Sequence, residues 1–167
     1  MVFQMNEFFT VPYVDDRLDN QTRFQKSVLR TETPLHIQPF LSAGPAMTYL
    51  HGKPPFENRN IYPLPAFLLC SADLKAGNSS NFVARIRSIS TCAALPIIML
   101  GKGYDDASVS RCYAAGADHF IHNPRAPARL DVIVQALYAC AALATPSFDG
   151  LSEVPGHQRG PQSSFSM

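Results

Sequence analysis

The chain has 167 residues, of which 46% are hydrophobic and 16% charged, with a formal net charge of +1. That length suits one domain with a core of ordinary size plus a tail. The near-neutral balance gives no electrostatic case for nucleic acid or an anionic membrane surface. No basic region or long apolar run opens the chain, and no apolar stretch reaches the roughly 20 residues of a bilayer span, so a cytoplasmic protein is expected. Cys70, Cys92, Cys112 and Cys140 lie far apart without CxxC spacing. They read as small hydrophobes rather than as a zinc site or redox pair.

Residues 8–14 are apolar and end in Asp15-Asp16, as a first strand with an acidic C-terminal end would. Pro12 cannot donate to a sheet ladder, which predicts a short or distorted strand. Leu18, Phe24, Val28 and Leu29 mark a helical stripe, with Asp19 or Asn20 as its cap. A second strand follows over 35–40. Gly44-Pro45 then leads into a helix through Met47, Tyr49 and Leu50 that stops at Gly52. After a polar loop over 53–60 comes a strand at 66–71. Ser79 or Ser80 caps a helix that turns Phe82, Val83, Ile86 and Ile89 inward. The run 96–100 is too short for a helix and rich in branched residues, hence a fourth strand. Asp105 or Asp106 opens a helix that Gly116 ends, and Asp118-His119-Phe120-Ile121 forms the fifth strand. A last helix from about 128 to 144 places Leu130, Val132, Ile133, Ala136 and Leu137 inward.

Strands alternating with helices, each strand apolar throughout, predict a parallel sheet covered on both faces. Five such units suit an α/β fold of the flavodoxin-like doubly wound kind, strand order 2-1-3-4-5. The boundaries expected are an extension at 1–7, the domain at 8–144 and a disordered tail rich in Pro, Gly and Ser at 145–167.

In an open parallel sheet, function gathers at the carboxyl ends of the strands. Here those ends are Asp15-Asp16, Ser71, Gly101 and Asn123-Pro124. The order and spacing of Val14-Asp15-Asp16, Pro96-Ile97-Ile98-Met99-Leu100, Ala115-Gly116-Ala117-Asp118 and Ile121-His122-Asn123-Pro124 resemble the receiver domain of a two-component response regulator. Tyr62-Pro63-Leu64-Pro65 before an apolar strand is similar to the small stand-alone receivers that serve phytochrome-type kinases. The resemblance runs from about 8 to 142.

The resemblance implies a phosphoryl group passed from a histidine kinase to an aspartate at the end of the third strand. Counting six residues on from Pro65 puts that position at Ser71. The family's hydroxyl residue after the fourth strand falls on Gly101, its lysine before the proline on Asn123, and the glycine at the start of its third helix on Ser79. Its switch aromatic is matched by Phe120. Of the reactive set only Asp15 and Asp16 remain, which leaves a pocket charge of about minus two from the pair. A serine hydroxyl without a placed base is a far poorer acceptor than a carboxylate.

Two carboxylates about 5 Å apart repel by roughly 3 kcal/mol at an effective dielectric near 20. The family holds Mg²⁺ on this pair, and with a neutral hydroxyl at Ser71 a site on Asp15 and Asp16 is expected to be weak. The plainer expectation is solvated carboxylates capping the first helix. Asp73, two residues past Ser71 and on the same side of an extended strand, is the candidate for a displaced acceptor. Lys102 is the candidate for a replacement charge.

The function expected is that of a pseudo-receiver in phosphorelay signal transduction: no enzyme, no cofactor beyond weak Mg²⁺, and binding to a protein without phosphorylation. The partner would be a sensor histidine kinase, a downstream effector or a second copy, met by the fifth strand and last helix. No effector domain is expected within the chain. The alternative is a phosphoryl-accepting regulator that uses Asp73. A flavin or small-molecule binder would want a phosphate-cradling loop, and a hydrolase centred on Ser71 would want a GxSxG elbow; the sequence has neither.

Overall fold

The computed structural model describes residues 8–75, 79–103 and 105–143. Strands β1 (Phe9–Val14), β2 (Leu35–Phe40), β3 (Leu68–Ser71), β4 (Ile97–Gly101) and β5 (His119–His122) alternate with helices α1 (Leu18–Arg30), α2 (Ala43–His51), α3 (Ser79–Arg87), α4 (Asp106–Ala115) and α5 (Pro127–Ala142). All pairings are parallel and the order is β2-β1-β3-β4-β5, the doubly wound arrangement expected. The extension at 1–7 and the tail at 145–167 lie outside the described residues.

Side-chain alternation along each strand divides the core in two. Val14, Leu68, Cys70, Ile97, Met99 and Phe120 pack toward α2, α3 and α4. Tyr13, Leu69, Ile98, Leu100 and Ile121 pack toward α1 and α5. Both faces of the sheet are covered, which is why β3 and β4 carry no polar alternation. β2, at the sheet edge, departs from the strands expected to be apolar throughout, with His36 exposed and Gln38 half-buried between buried Leu35, Ile37 and Phe40.

Pro12 neither shortens nor breaks β1, because its missing donor points where little needs it. Phe9 N and Asp15 N donate to Pro34 O and Phe40 O on the β2 side. By alternation the Pro12 nitrogen faces β3, whose pairing with β1 starts only at Tyr13↔Leu69.

The helix faces differ from the expected stripes. α1 has Arg17 at its N-cap with no side-chain cap, and Asp19 lies in the first turn instead, where it favours the helix dipole. Its inward face is Gln21, Phe24, Ser27 and Val28, whereas Leu18 and Leu29 are 67% and 68% exposed. Two polar residues are buried there, Ser27 with its hydroxyl partnered and Gln21 with its amide nitrogen partnered but its Oε1 without a partner among the described residues. Ser27 Oγ donates to Asp131 Oδ1 at 2.7 Å, and the Gln21 amide reaches Tyr13 O at 2.9 Å and Asp15 O and Phe40 O at 3.3 Å. On α5 the buried residues are Leu130, Ile133, Val134 and Leu137; Val132 is 64% exposed and Ala136 only half-buried. Ile89 is buried beyond the end of α3.

One arginine fastens the far half of the molecule. Arg87, at the end of α3, donates to Gly116 O at 3.0 and 2.8 Å, to Cys92 O at 3.1 Å, to Leu95 O at 2.6 Å and to Asp118 Oδ2 at 2.8 Å. The same Asp118 oxygen accepts from Ile97 N at 2.8 Å. Gly116 ends α4 at φ +116, and a Cβ there would lie 2.9 Å from Arg87 Cγ.

α1 and α5 are joined by Asp131, which accepts from Ser27 and from Arg30 Nε (2.9 Å) and Nη2. The Arg30 hydrogen bond, then that of Ser27, holds the Asp131 carboxyl below the ordinary carboxylate range. A depressed folded pKa means the gain is complete above the unfolded value near 4 and is lost as pH falls through the lower folded value. Asp131→Asn is expected to flatten the acid limb of the stability–pH curve and to change neutral stability little, the pair being partly exposed. Urea midpoints collected from neutral pH down to about pH 2 check this.

Candidate functional site

The carboxyl ends of β1, β3, β4 and β5 form one rim. The registers Val14↔Cys70, Ser71↔Leu100 and Gly101↔His122 bring Asp15, Asp16, Ser71, Gly101 and Asn123 to it. Alternation assigns Asp15 to the α1 side and Gly101 to the α4 side. This split decides what each residue does.

Asp15 is 0% exposed, in contrast to the solvated carboxylate expected. Tyr13, two residues earlier on the same face, donates its hydroxyl to Asp15 Oδ2 at 2.8 Å. Asn20 Nδ2 donates to the same oxygen at 3.0 Å, and Arg17 N donates to Oδ1 at 3.0 Å. Burial, and then the adjacent Asp15 charge, push the Tyr13 phenol well above its usual range, so it remains a donor. The carboxylate thus anchors the entry to α1. Asp16 accepts from Lys75 N at 2.7 Å through Oδ2, and its Oδ1 is buried without a partner among the described residues. Both oxygens of Asp15 accept from protein donors, which leaves Oδ1 of Asp16 as the one oxygen of the pair without a partner among the described residues. Among the described residues no group of three or more His, Cys, Asp or Glu side chains is placed to hold a metal ion.

Ser71 is buried and its hydroxyl is engaged locally: Oγ accepts from Asp73 N at 3.0 Å, a tight turn at the strand end. Ser79 Oγ donates to Ser71 O at 2.8 Å and ties the start of α3 to β3. Asp73 is exposed, and its Oδ2 accepts from Lys102 N at 2.9 Å across the rim.

Gly101 has a steric role. A Cβ built there would lie 2.9 Å from Phe120 Cε1, closer still to Cζ and 3.3 Å from Cε2. The Phe120 ring, 2% exposed, fills the space that a side chain at 101 would need. The missing hydroxyl and the inward aromatic are therefore one packing arrangement. His122 Nε2 donates to Lys102 O at 2.8 Å and holds the loop after β4 against β5.

Asn123 is not left without a cation. Arg23 Nη2, from α1, donates to Asn123 Oδ1 at 3.2 Å and to Pro124 O at 2.7 Å. Arg17, Arg23, Lys102 and Arg125 line a cleft of about 270 Å³ beside the acidic pair. These cations stand next to the charge of about minus two expected from Asp15 and Asp16 themselves. Sequence reading passed over Arg17, Arg23 and Arg125 because their convergence depends on how α1 and the loop after β5 meet, about a hundred residues apart. Tyr13 did carry a signal, its two-residue spacing from Asp15.

No protein-family model matches the sequence, and no curated protein matches it. Solved structures do. A response regulator in red light signaling of R. palustris is 18% identical, with 78% of this chain and 92% of that chain covered at a TM-score of 0.72. The chain has the receiver fold. The phosphorylated cyanobacterial phytochrome response regulator RcpA is likewise 18% identical, over 78% of this chain and 91% of that one, at a TM-score of 0.68. The bacteriophytochrome response regulator RtBRR is 19% identical, over 84% and 85%, at 0.65. At such identities the likeness concerns the receiver fold, and the chemistry of the rim has to be argued from its own residues.

Proposed function

We propose that the chain is a receiver-like binding module of two-component signal transduction, a pseudo-receiver that meets a protein partner without being phosphorylated. The observation that carries this reading is the Phe120 ring lodged over Gly101. An aromatic already inward, with no side chain at 101 to displace it, has nothing for a phosphoryl group to switch. The Ser71 hydroxyl, committed to the Asp73 N–H, and the inward Asp15 carboxylate support the same view. Mg²⁺ binding on this reading is weak, since one buried oxygen of Asp16 is a poor donor set for a cation that prefers six oxygens. The partner is a sensor histidine kinase, a downstream effector or a second copy, docking on β5 and α5, where Val132 stands exposed.

A second reading has one observation in its favour. The Asp73 carboxylate lies exposed at the rim, against the Lys102 backbone. It would serve as a displaced phosphoryl acceptor. Incubation with acetyl phosphate and Mg²⁺, followed by intact-mass measurement, separates the two. The pseudo-receiver reading expects no stable phosphoryl adduct on the wild-type protein. An adduct that persists in Ser71→Ala and disappears in Asp73→Asn would overturn it in favour of the displaced acceptor.

A further inference from the structure

The basic cleft has no counterpart in the reading above. Arg17, Arg23, Lys102 and Arg125 face it together with the amides of Asn20 and Asn123, and Asp19 is the one carboxylate that lines it. Four cations oppose one anion. Asp15 lies close by, but its oxygens are turned to Tyr13, Asn20 and the Arg17 backbone. Arg17 Nε is buried and has no hydrogen-bond partner among the described residues, a donor whose burial is costly unless something accepts from it. Arg23 is held in place by Asn123 Oδ1 and Pro124 O. With that Oδ1 used as acceptor, the Asn123 amide keeps its N–H groups for the cleft. The α1 N-terminus, without a side-chain cap, adds the positive end of a 13-residue helix.

We propose that this cleft binds a phosphate-type oxyanion. Arginine forks match the tetrahedral oxygens of phosphate, and a dianion suits the excess of positive charge better than a single carboxylate. A volume of about 270 Å³ is slightly below the roughly 300 Å³ at which sites for drug-sized ligands begin. It admits a phosphoryl group on a small substituent rather than a whole nucleotide. Arg17 and Arg23 are partly buried and so are screened by salt less than the exposed Lys102 and Arg125.

The test uses the full chain, isotope-labelled, with no Mg²⁺ and no phosphoryl donor. Backbone amide resonances are followed during titration with sodium phosphate, with sodium chloride at matched ionic strength as reference. Saturable shifts at Lys102, Asn123, Arg125 and the first turn of α1 are expected with phosphate and not with chloride. The double variant Lys102→Glu, Arg125→Glu, with its dispersed spectrum retained, is expected to bind more than roughly tenfold more weakly. Phosphoserine as the free amino acid is the second probe. Saturation with either probe supports the site, and saturation with phosphoserine alone places part of the recognition on the substituent. Shifts that follow chloride, that never saturate with either probe, or that are unchanged in the double variant would overturn it. Because no phosphoryl group can be transferred here, failure leaves the pseudo-receiver reading untouched, and labelling of Asp73 would leave the cleft untouched.

Discussion

Gly101→Thr is expected to destabilise the protein by about 2 kcal/mol and to drive the Phe120 ring from its place. The new Cβ would fall within 2.9 Å of Cε1 and nearer to Cζ, with the ring 2% exposed and no open side toward which to yield. Overpacking a filled core typically costs ~1–3 kcal/mol. The diagnostic is a double-mutant cycle with Phe120→Leu, whose smaller side chain clears the position. The threonine should cost less in the leucine background, with a coupling above about 1 kcal/mol, read from urea unfolding at constant m. Equal costs in both backgrounds would mean that the ring is not wedged there. The cycle therefore tests the contact on which phosphorylation-independent behaviour rests.

Asp15→Ala is expected to cost more, about 3 kcal/mol. Three donors converge on this fully buried carboxylate, and its removal strands the Tyr13 hydroxyl and the Asn20 amide. Hydrogen bonds to a charged acceptor contribute ~1.5–3 kcal/mol each and do not add when they share one atom. Asp15→Asn should lose less than half as much, since the Tyr13 and Asn20 groups can reorient to accept from a new amide. Tyr13→Phe should cost an intermediate ~1–2 kcal/mol. If the alanine variant unfolds at the wild-type urea midpoint, the carboxylate faces water and its anchoring role fails.

The sequence carried the fold because the fold is written in local signals: apolar strands, helices stopped by Gly52 and Gly116, and acidic residues closing β1. It carried the members of the rim for the same reason, each lying at the last residue of a strand or within two residues past it. What it did not carry was orientation. Asp15 was legible as a rim carboxylate, yet that it turns inward depends on Tyr13 and on an amide one helix turn later. Leu18, Leu29 and Val132 are hydrophobic by type and exposed by position, while Gln21 and Ser27 are polar by type and buried against partners on the β1 and β2 backbone and on α5. The arginines beside the acidic pair were not legible because Arg23 meets Asn123 only in three dimensions.

β5 is four residues long and pairs on one side only, so its own ladder holds it weakly against sliding. Arg87 supplies the missing restraint from outside the sheet. By gripping Gly116 and Asp118 while Asp118 grips Ile97, it fixes which residue of β5 stands opposite which residue of β4. A slip by one step would turn Phe120 to the opposite face and reopen the space above Gly101. The alignment that closes that space is thus set at the amino end of the strands, across the sheet from where its effect is felt.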